Sequence, residues 1–288
     1  MLNLRSAVKP NDFINYNGKI LPADSAIFPL NRAINYGDGM FEGIRLYNGE
    51  ILFFEDHMDR MFRGMQALKM DGPENFSSFF FHKQITELLA KKNITANARV
   101  RIGIFRSGGG LYEPEKNSPE YFIEILPVEK GFEWSEAPCE LGVFNEVQKN
   151  FSSVSFFKCM NALPSVLAAI FKQEKNLGDC LLLNSLGNVA DAISSNVFWI
   201  EQGKVFSPPI SDGGVEGVMR KNLIRVLKEH DYSFEEKTIS ASELKTADEI
   251  FLTNVGWAIK PVTRFETTSY PTSVTREIFL LLMNEWSA

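Results

Sequence analysis

Two periodicities alternate along the chain. In FINYNGKILPADSAIF (13–28), two short runs rich in apolar residues flank Asn17-Gly18. Asn-Gly accepts positive φ at both positions of a tight turn, so the stretch predicts a strand–turn–strand hairpin. MFEGIRLYNGEILFFEDH repeats the pattern around Asn48-Gly49. The period then lengthens: Met58, Met61, Phe62, Met65 and Leu68 recur at helical spacing, and SSFFFHKQITELLAKKN predicts a second helix. ARVRIGIFRS and EYFIEILPV predict strands joined by the Gly-rich connection SGGGLYEPEKNSP.

Periodicity lapses over 128–135, inside the Pro- and charge-bearing stretch PVEKGFEWSEAP, which predicts a linker. Beyond it, CELGVFNEV and SVSFF read as strands. NALPSVLAAIFKQEKN reads as a helix with Asn161 as its N-cap. A run of strands and turns follows over 179–209, then the helix GVMRKNLIRVLKEH, the strand ADEIFLTNV and the helix SVTREIFLLLMNEW. Hairpins interspersed with helices favour an α+β (mixed α/β) fold over a doubly wound parallel sheet. The expected domains are 1–127 and 136–288.

Charge narrows the possible partners. A net charge of −6 and a pI near 5.3 argue against nucleic acid or an anionic membrane as the main partner. The opening MLNLRSAVKPND has no long apolar run after its charges, so a secretory signal is not expected. No stretch approaches the ~20 apolar residues of a membrane span. Cys139, Cys159 and Cys180 are widely spaced, and neither CxxC nor HExxH occurs, so no metal site is expected. The expectation is reduced thiols in a cytoplasmic protein.

The candidate chemistry begins at SSVSFFKCMNALPSVLAAIF. Lys158 sits between two phenylalanines and the start of an apolar helix. It is either a snorkelling lysine, with its stem in the core, or a desolvated amine able to form a Schiff base with a carbonyl. A cofactor would also need an anion cradle and a group to tune its ring. SDGGVEGVMRKNLIRVL places three glycines before an amphipathic helix, a geometry suited to phosphate or to a simple flexible turn. It matches neither a Walker loop nor GxGxxG. Asp191, in the β-patterned GNVADAISSNVFWI, is costly if it points inward without a partner. Arg60 in EDHMDRMF is either a second phosphate contact or a surface pair with Asp56 at i−4.

RAINYGDGMFEGIR (32–45), EDHMDR (55–60), Lys158 with its helix, and the ordered set GNVADAISSNVFWI, GVEGVMR, ADEIFLTNV and IKPV together resemble the class IV aminotransferases. These fold-type IV pyridoxal-phosphate enzymes include branched-chain and D-amino acid aminotransferases and 4-amino-4-deoxychorismate lyases. The resemblance implies a small N-terminal α/β domain, a larger barrel-like C-terminal domain, a site between them, and at least a homodimer. It implies that Lys158 binds the cofactor's carbonyl and then carries protons. It implies that Arg60 and the backbone of Val218 and Met219 grip the phosphate, with Asn254 and Val255 in a second phosphate-side loop. It places Val215 against the ring and Asp191 at the pyridine nitrogen, where the family usually has glutamate. Val255 and Met219 stand where hydroxyl-bearing residues are common.

Transamination, with a branched-chain donor as one possibility, stands beside the lyase reaction that yields 4-aminobenzoate and pyruvate, and beside a degenerate cofactor-binding protein. FEGIR resembles the branched-chain enzymes, whereas GVMR, FLTNV and RSGGGLYEP resemble the lyases. Arg101 and Arg106 are the cations proposed for a substrate carboxylate, and Tyr36, Phe41 and Tyr112 are candidates for the pocket wall.

Overall fold

The computed structural model describes residues 12–25 and 31–287. The opening segment considered above for a secretory signal lies almost wholly outside the described residues. The chain forms two compact units. One runs to Gly131 and also takes in Lys158–Asn161; the other comprises Phe132–Phe157 and the chain from Ala162 onward.

The first unit contains β1 (Phe13–Tyr16), β2 (Lys19–Pro22), α1 (Arg32–Tyr36), β3 (Gly39–Tyr47), β4 (Glu50–Ile51), α2 (Phe54–Ala67), α3 (Ser78–Lys91), β5 (Ala98–Arg106) and β6 (Pro119–Pro127). Its strands form one antiparallel sheet in the order β2-β1-β6-β5-β3-β4. Both Asn-Gly turns form as expected, with φ of 47° and 82° at Asn17-Gly18 and 49° and 90° at Asn48-Gly49. Alternation then sorts the strand faces. Met40, Ile44, Leu46, Val100, Ile102 and Ile104 are buried on one face, together with Met58, Met61 and Met65 of α2 and Phe81, Ile85 and Leu88 of α3. The opposite face, carrying Phe41, Gly43, Arg99 and Arg101, is only partly buried.

The second unit contains β7 (Glu140–Phe144), α4 (Leu163–Glu174), β8 (Asp179–Leu183), β9 (Val189–Ala192), β10 (Asn196–Glu201), β11 (Lys204–Ser207), α5 (Val218–Glu229), β12 (Phe234–Glu236), α6 (Ala241–Leu244), β13 (Glu249–Asn254), β14 (Ala258–Val262), β15 (Arg264–Phe265), β16 (Thr268–Ser269) and α7 (Ser273–Ser287). Two five-stranded sheets result, β12-β11-β10-β13-β14 and β16-β15-β7-β8-β9. They share a core in which Leu141, Leu181 and Val189 meet Val197, Trp199, Ile250 and Leu252.

Two local expectations fail around the lysine. SVSFF is a run of turns, with Ser155 N–H donating to Ser152 O and Phe157 N–H to Val154 O. Its alternating composition is overridden because no neighbouring strand takes up its backbone groups among the described residues. Asn161 is not the N-cap of α4: Ala162 holds that place without a side-chain bond, and Pro164 stands in the first turn. Residues 158–160 are instead occupied in pairing with β3 of the first unit.

Candidate active site

In the first unit, edge pairing presents Lys158. Phe41 N–H donates to Lys158 O at 2.8 Å, and Met160 N–H donates to Gly39 O at 2.9 Å. Met40 and Cys159 form the antiparallel bridge between these bonds. Lys158 therefore lies alongside Phe41, and its Nζ is 4.8 Å from the Phe41 ring centroid. Arg101 reaches the same ring, its Cζ 4.3 Å from the centroid. In register Arg101 faces Gly43, so Phe41 and Arg101 are diagonal neighbours on one sheet face. A Cβ added at Gly43 would meet nothing within 4 Å, so space lies beside Arg101. An amine, a guanidinium, an aromatic wall and open room are thus assembled on one face.

The other arginines lie elsewhere in this unit. Arg60 is buried rather than part of a surface pair, and Glu42 takes its Nε at 2.8 Å and Nη2 at 2.6 Å. Arg106 has the opposite strand parity from Arg101. It donates to Asp38 Oδ2 (3.0 Å), Asn117 Oδ1 (2.7 Å), Lys69 O (3.1 Å) and Leu68 O (2.5 Å). All three guanidinium nitrogens are thus engaged, tying Asp38 and the end of α2 to Asn117 at the base of the Gly-rich loop. Arg32 shares Asp38 at 2.7 Å and donates to the carbonyls of Gly109, Gly110 and Leu111. Tyr36 stands 5.6 Å from Tyr112, ring to ring, but Tyr112 is 88% exposed. The two tyrosines therefore mark the loop surface.

In the second unit, buried Asp191 on β9 is held by three donors. Lys149 Nζ reaches its Oδ2 at 2.7 Å, Val215 N–H the same oxygen at 2.9 Å, and Asn196 Nδ2 its Oδ1 at 3.1 Å. Asn196 Nδ2 also donates to Val215 O at 2.8 Å, so the strand end and the Gly-rich turn form one network. The turn tolerates almost no side chain. A Cβ at Gly213 would lie 2.2 Å from Lys149 O, one at Gly214 2.5 Å from Ala190 O, and one at Gly217 1.9 Å from Asn196 Oδ1. Gly217 leads directly into α5, with Val218 and Met219 as its first residues. Among the described residues no acceptor takes the N–H of Val218 or Met219. Asn254 uses its side chain to close the β13–β14 turn, accepting from Gly256 and Trp257 N–H and donating to Ser194 O and Ser195 Oγ. Val255 follows it in the turn.

The amino-transferase class IV family profile matches residues 39–265. The chain belongs to the class IV aminotransferases. Its fold is the fold-type IV architecture. A branched-chain aminotransferase of Thermoproteus uzoniensis, crystallised with norvaline, superposes with a TM-score of 0.84 at 23% identity, over 93% of this chain and 92% of that one. A putative branched-chain-amino-acid aminotransferase of Methanocaldococcus jannaschii is 27% identical over 86% of each chain. An aminodeoxychorismate lyase of Vibrio harveyi is 26% identical, over 81% of this chain and 84% of its own.

Members of the class IV family use pyridoxal 5′-phosphate, and the residues present fit it. Unpartnered N–H groups at a helix start suit its phosphate. A fixed carboxylate suits its ring nitrogen, and a lysine amine suits its carbonyl. The sequence pattern missed Lys149, Arg32 and Glu42, whose Oε2 lies 2.8 Å from His57 Nδ1. Glu42 left one trace: it shares strand parity with Met40, Ile44 and Leu46, so alternation alone placed a carboxylate on the buried face. Lys149 left none, because its partner is 42 residues away.

Proposed function

We propose that this class IV aminotransferase transfers the amino group of an amino acid, with a branched-chain donor as the first candidate, to a 2-oxo acid using pyridoxal 5′-phosphate. The observation that carries this reading is the grouping of Lys158, Phe41 and Arg101 beside the space at Gly43. When bound, the cofactor supplies an electron sink for the pair left when the substrate Cα proton departs. Lys158 Nζ would hold the cofactor through its carbonyl and, when released from it, would serve as the base that takes and returns the substrate Cα proton. Asp191 hydrogen-bonds the pyridine nitrogen, and Lys149 and Asn196 keep its carboxylate in place. Val215 packs on the ring. Val218 and Met219 N–H, with Arg60, hold the phosphate, and the backbone of Asn254 and Val255 borders it. Arg101 takes the substrate carboxylate, Phe41 its apolar side, and the loop with Tyr36, Arg106 and Tyr112 flanks the entrance. The working form is a homodimer.

The second reading is the lyase that splits 4-amino-4-deoxychorismate. A lyase relative matches the chain almost as well as the transaminase relatives do. One experiment separates the two: the visible spectrum of the protein with cofactor, before and after L- and D-amino acids, and separately with 4-amino-4-deoxychorismate. Bleaching by an amino acid and recovery with a 2-oxo acid support transamination and name the donor. Formation of 4-aminobenzoate and pyruvate without net bleaching supports the lyase. Lys158→Ala should abolish the bound chromophore and nearly all turnover. Full turnover in that variant would overturn both readings.

A further inference from the structure

Asp191 carries one donor more than its orientation requires. Its side chain is buried, and a buried carboxylate needs partners. Two neutral groups already fix it, one on each oxygen: Val215 N–H donates to Oδ2 at 2.9 Å and Asn196 Nδ2 to Oδ1 at 3.1 Å. Lys149 Nζ adds a third contact, to Oδ2 at 2.7 Å, and brings the one positive charge of the set. Lys149 is anchored through its backbone. Its N–H donates to Leu183 O at 2.8 Å, at the end of β8, and its carbonyl packs on Gly213, where a Cβ would come within 2.2 Å. Fixing a lysine side chain in one arrangement costs rotamer entropy. Since orientation is secured without it, the amine contributes chiefly its charge.

That charge has two consequences. Lys149 offsets the cost of burying the carboxylate, and removing one partner of such a pair is destabilising. The second consequence concerns the group that Asp191 meets. An ionised carboxylate offers about four lone-pair positions. Lys149 and Val215 take the two on Oδ2 and Asn196 takes one on Oδ1, so among the described residues one position on Oδ1 is open. A pyridine nitrogen that docks there meets a carboxylate whose charge Lys149 already balances. With that nitrogen protonated, two cations share one anion, and each disfavours the charge of the other. A carboxylate held by neutral donors alone would keep the ring proton more firmly.

We propose that Lys149 is a positioning residue whose charge, acting through Asp191, loosens the site's hold on a proton at the cofactor's ring nitrogen and so sets how strong an electron sink the ring becomes. This rests on the reading of Asp191 as the partner of that nitrogen.

The test is calorimetric titration of apoprotein with pyridoxal 5′-phosphate and with its deaza analogue, which carries C–H in place of the ring nitrogen. The ratio of dissociation constants, analogue over cofactor, reports the contact at that nitrogen alone. Lys149→Met removes the charge at similar length, and the ratio should rise about tenfold, the scale by which a charge-assisted bond exceeds a neutral one. Lys149→Arg keeps the charge, and its ratio should stay within about threefold of wild type. Lys149→Gln keeps a donor without the charge. It should raise the ratio as Lys149→Met does, and it decides the matter if Lys149→Met fails to fold. The Lys149→Met/Asp191→Asn double variant should lose the rise, because the charge acts through the carboxylate. A lysine that served folding alone would weaken both ligands together and leave the ratio unmoved. An unchanged ratio in the charge-removing variant, an equal rise in Lys149→Arg, or a rise that survives in the double variant would overturn the proposal. A ratio that Asp191→Asn leaves untouched, with and without Lys149, would instead show that the underlying reading of Asp191 is wrong, and the proposal would fall with it.

Discussion

Gly217→Ala isolates one steric demand of the phosphate turn. Gly217 has φ −67° and ψ 130°, a conformation alanine adopts freely, so backbone strain does not enter. The added Cβ would lie 1.9 Å from Asn196 Oδ1, and Asn196 must swing away. That breaks its bonds to Asp191 Oδ1 at 3.1 Å and Val215 O at 2.8 Å. At about 0.5–1.5 kcal/mol net per bond, the loss is about 1–3 kcal/mol. For a chain of this size each kcal/mol moves the melting temperature by about 2–4 °C, so differential scanning calorimetry should show a drop of about 2–12 °C. The cycle with Asn196→Ala gives the sharper result. Asn196→Ala forfeits the same two bonds and removes the atom that clashes, so adding Gly217→Ala should cost less than about 0.5 kcal/mol more. Fully additive losses, or a wild-type melting temperature in Gly217→Ala, would refute the steric argument.

Two further outcomes follow from the first unit. Gly43→Ala places a methyl in open space, so the melting temperature should hold or rise slightly, alanine avoiding the ~0.5–1 kcal/mol entropic cost of glycine in a strand. The methyl crowds the room beside Arg101, so KM for the amino acid should rise several-fold with kcat less affected; an unchanged KM would remove this face from the substrate side. Burial pushes the His57 pKa below its ordinary value despite the opposing pull of Glu42. The unfolded chain therefore takes up a proton below about pH 6.5 that the folded chain refuses, and stability should fall from pH 7 to pH 5, with a slope of at most about 1.4 kcal/mol per pH unit. Denaturant titrations of His57→Gln should show a flatter profile over that window. Glu42 has a pKa of about 2 in the folded state, so its own contribution persists above its unfolded value and fades only at lower pH.

What was legible in the sequence was what is local. The Asn-Gly turns needed only their own dihedrals, and α2, α3 and α5 showed themselves through helical spacing. The mixed α/β class followed from their order. What escaped depends on distant chain. SVSFF has strand composition but lacks a strand partner, and Asn161 has a capping side chain but belongs to a segment paired with β3. Arg101 and Arg106 were both candidates for a substrate carboxylate, and a spacing of five left open which face each takes. Strand parity and distant partners tell them apart, turning one toward Phe41 and the other to Asp38, the end of α2 and Asn117. Lys149 and Glu42 act through partners that spacing does not reveal.

The lysine-bearing segment Lys158–Asn161 belongs to a unit whose other residues end at Gly131. That unit is therefore not a contiguous piece of chain. A fragment stopped at Gly131 would leave the backbone of Gly39 and Phe41 without the partners that residues 158 and 160 supply. On the ribosome, at about 5–20 residues per second, the interval before those partners are made is of the order of seconds. During it the β3 edge is open to pairing with other chains. Lys158 and the residues that pair with this edge arrive together, so cutting the chain between its two units would cost the first unit both its sealed edge and its lysine.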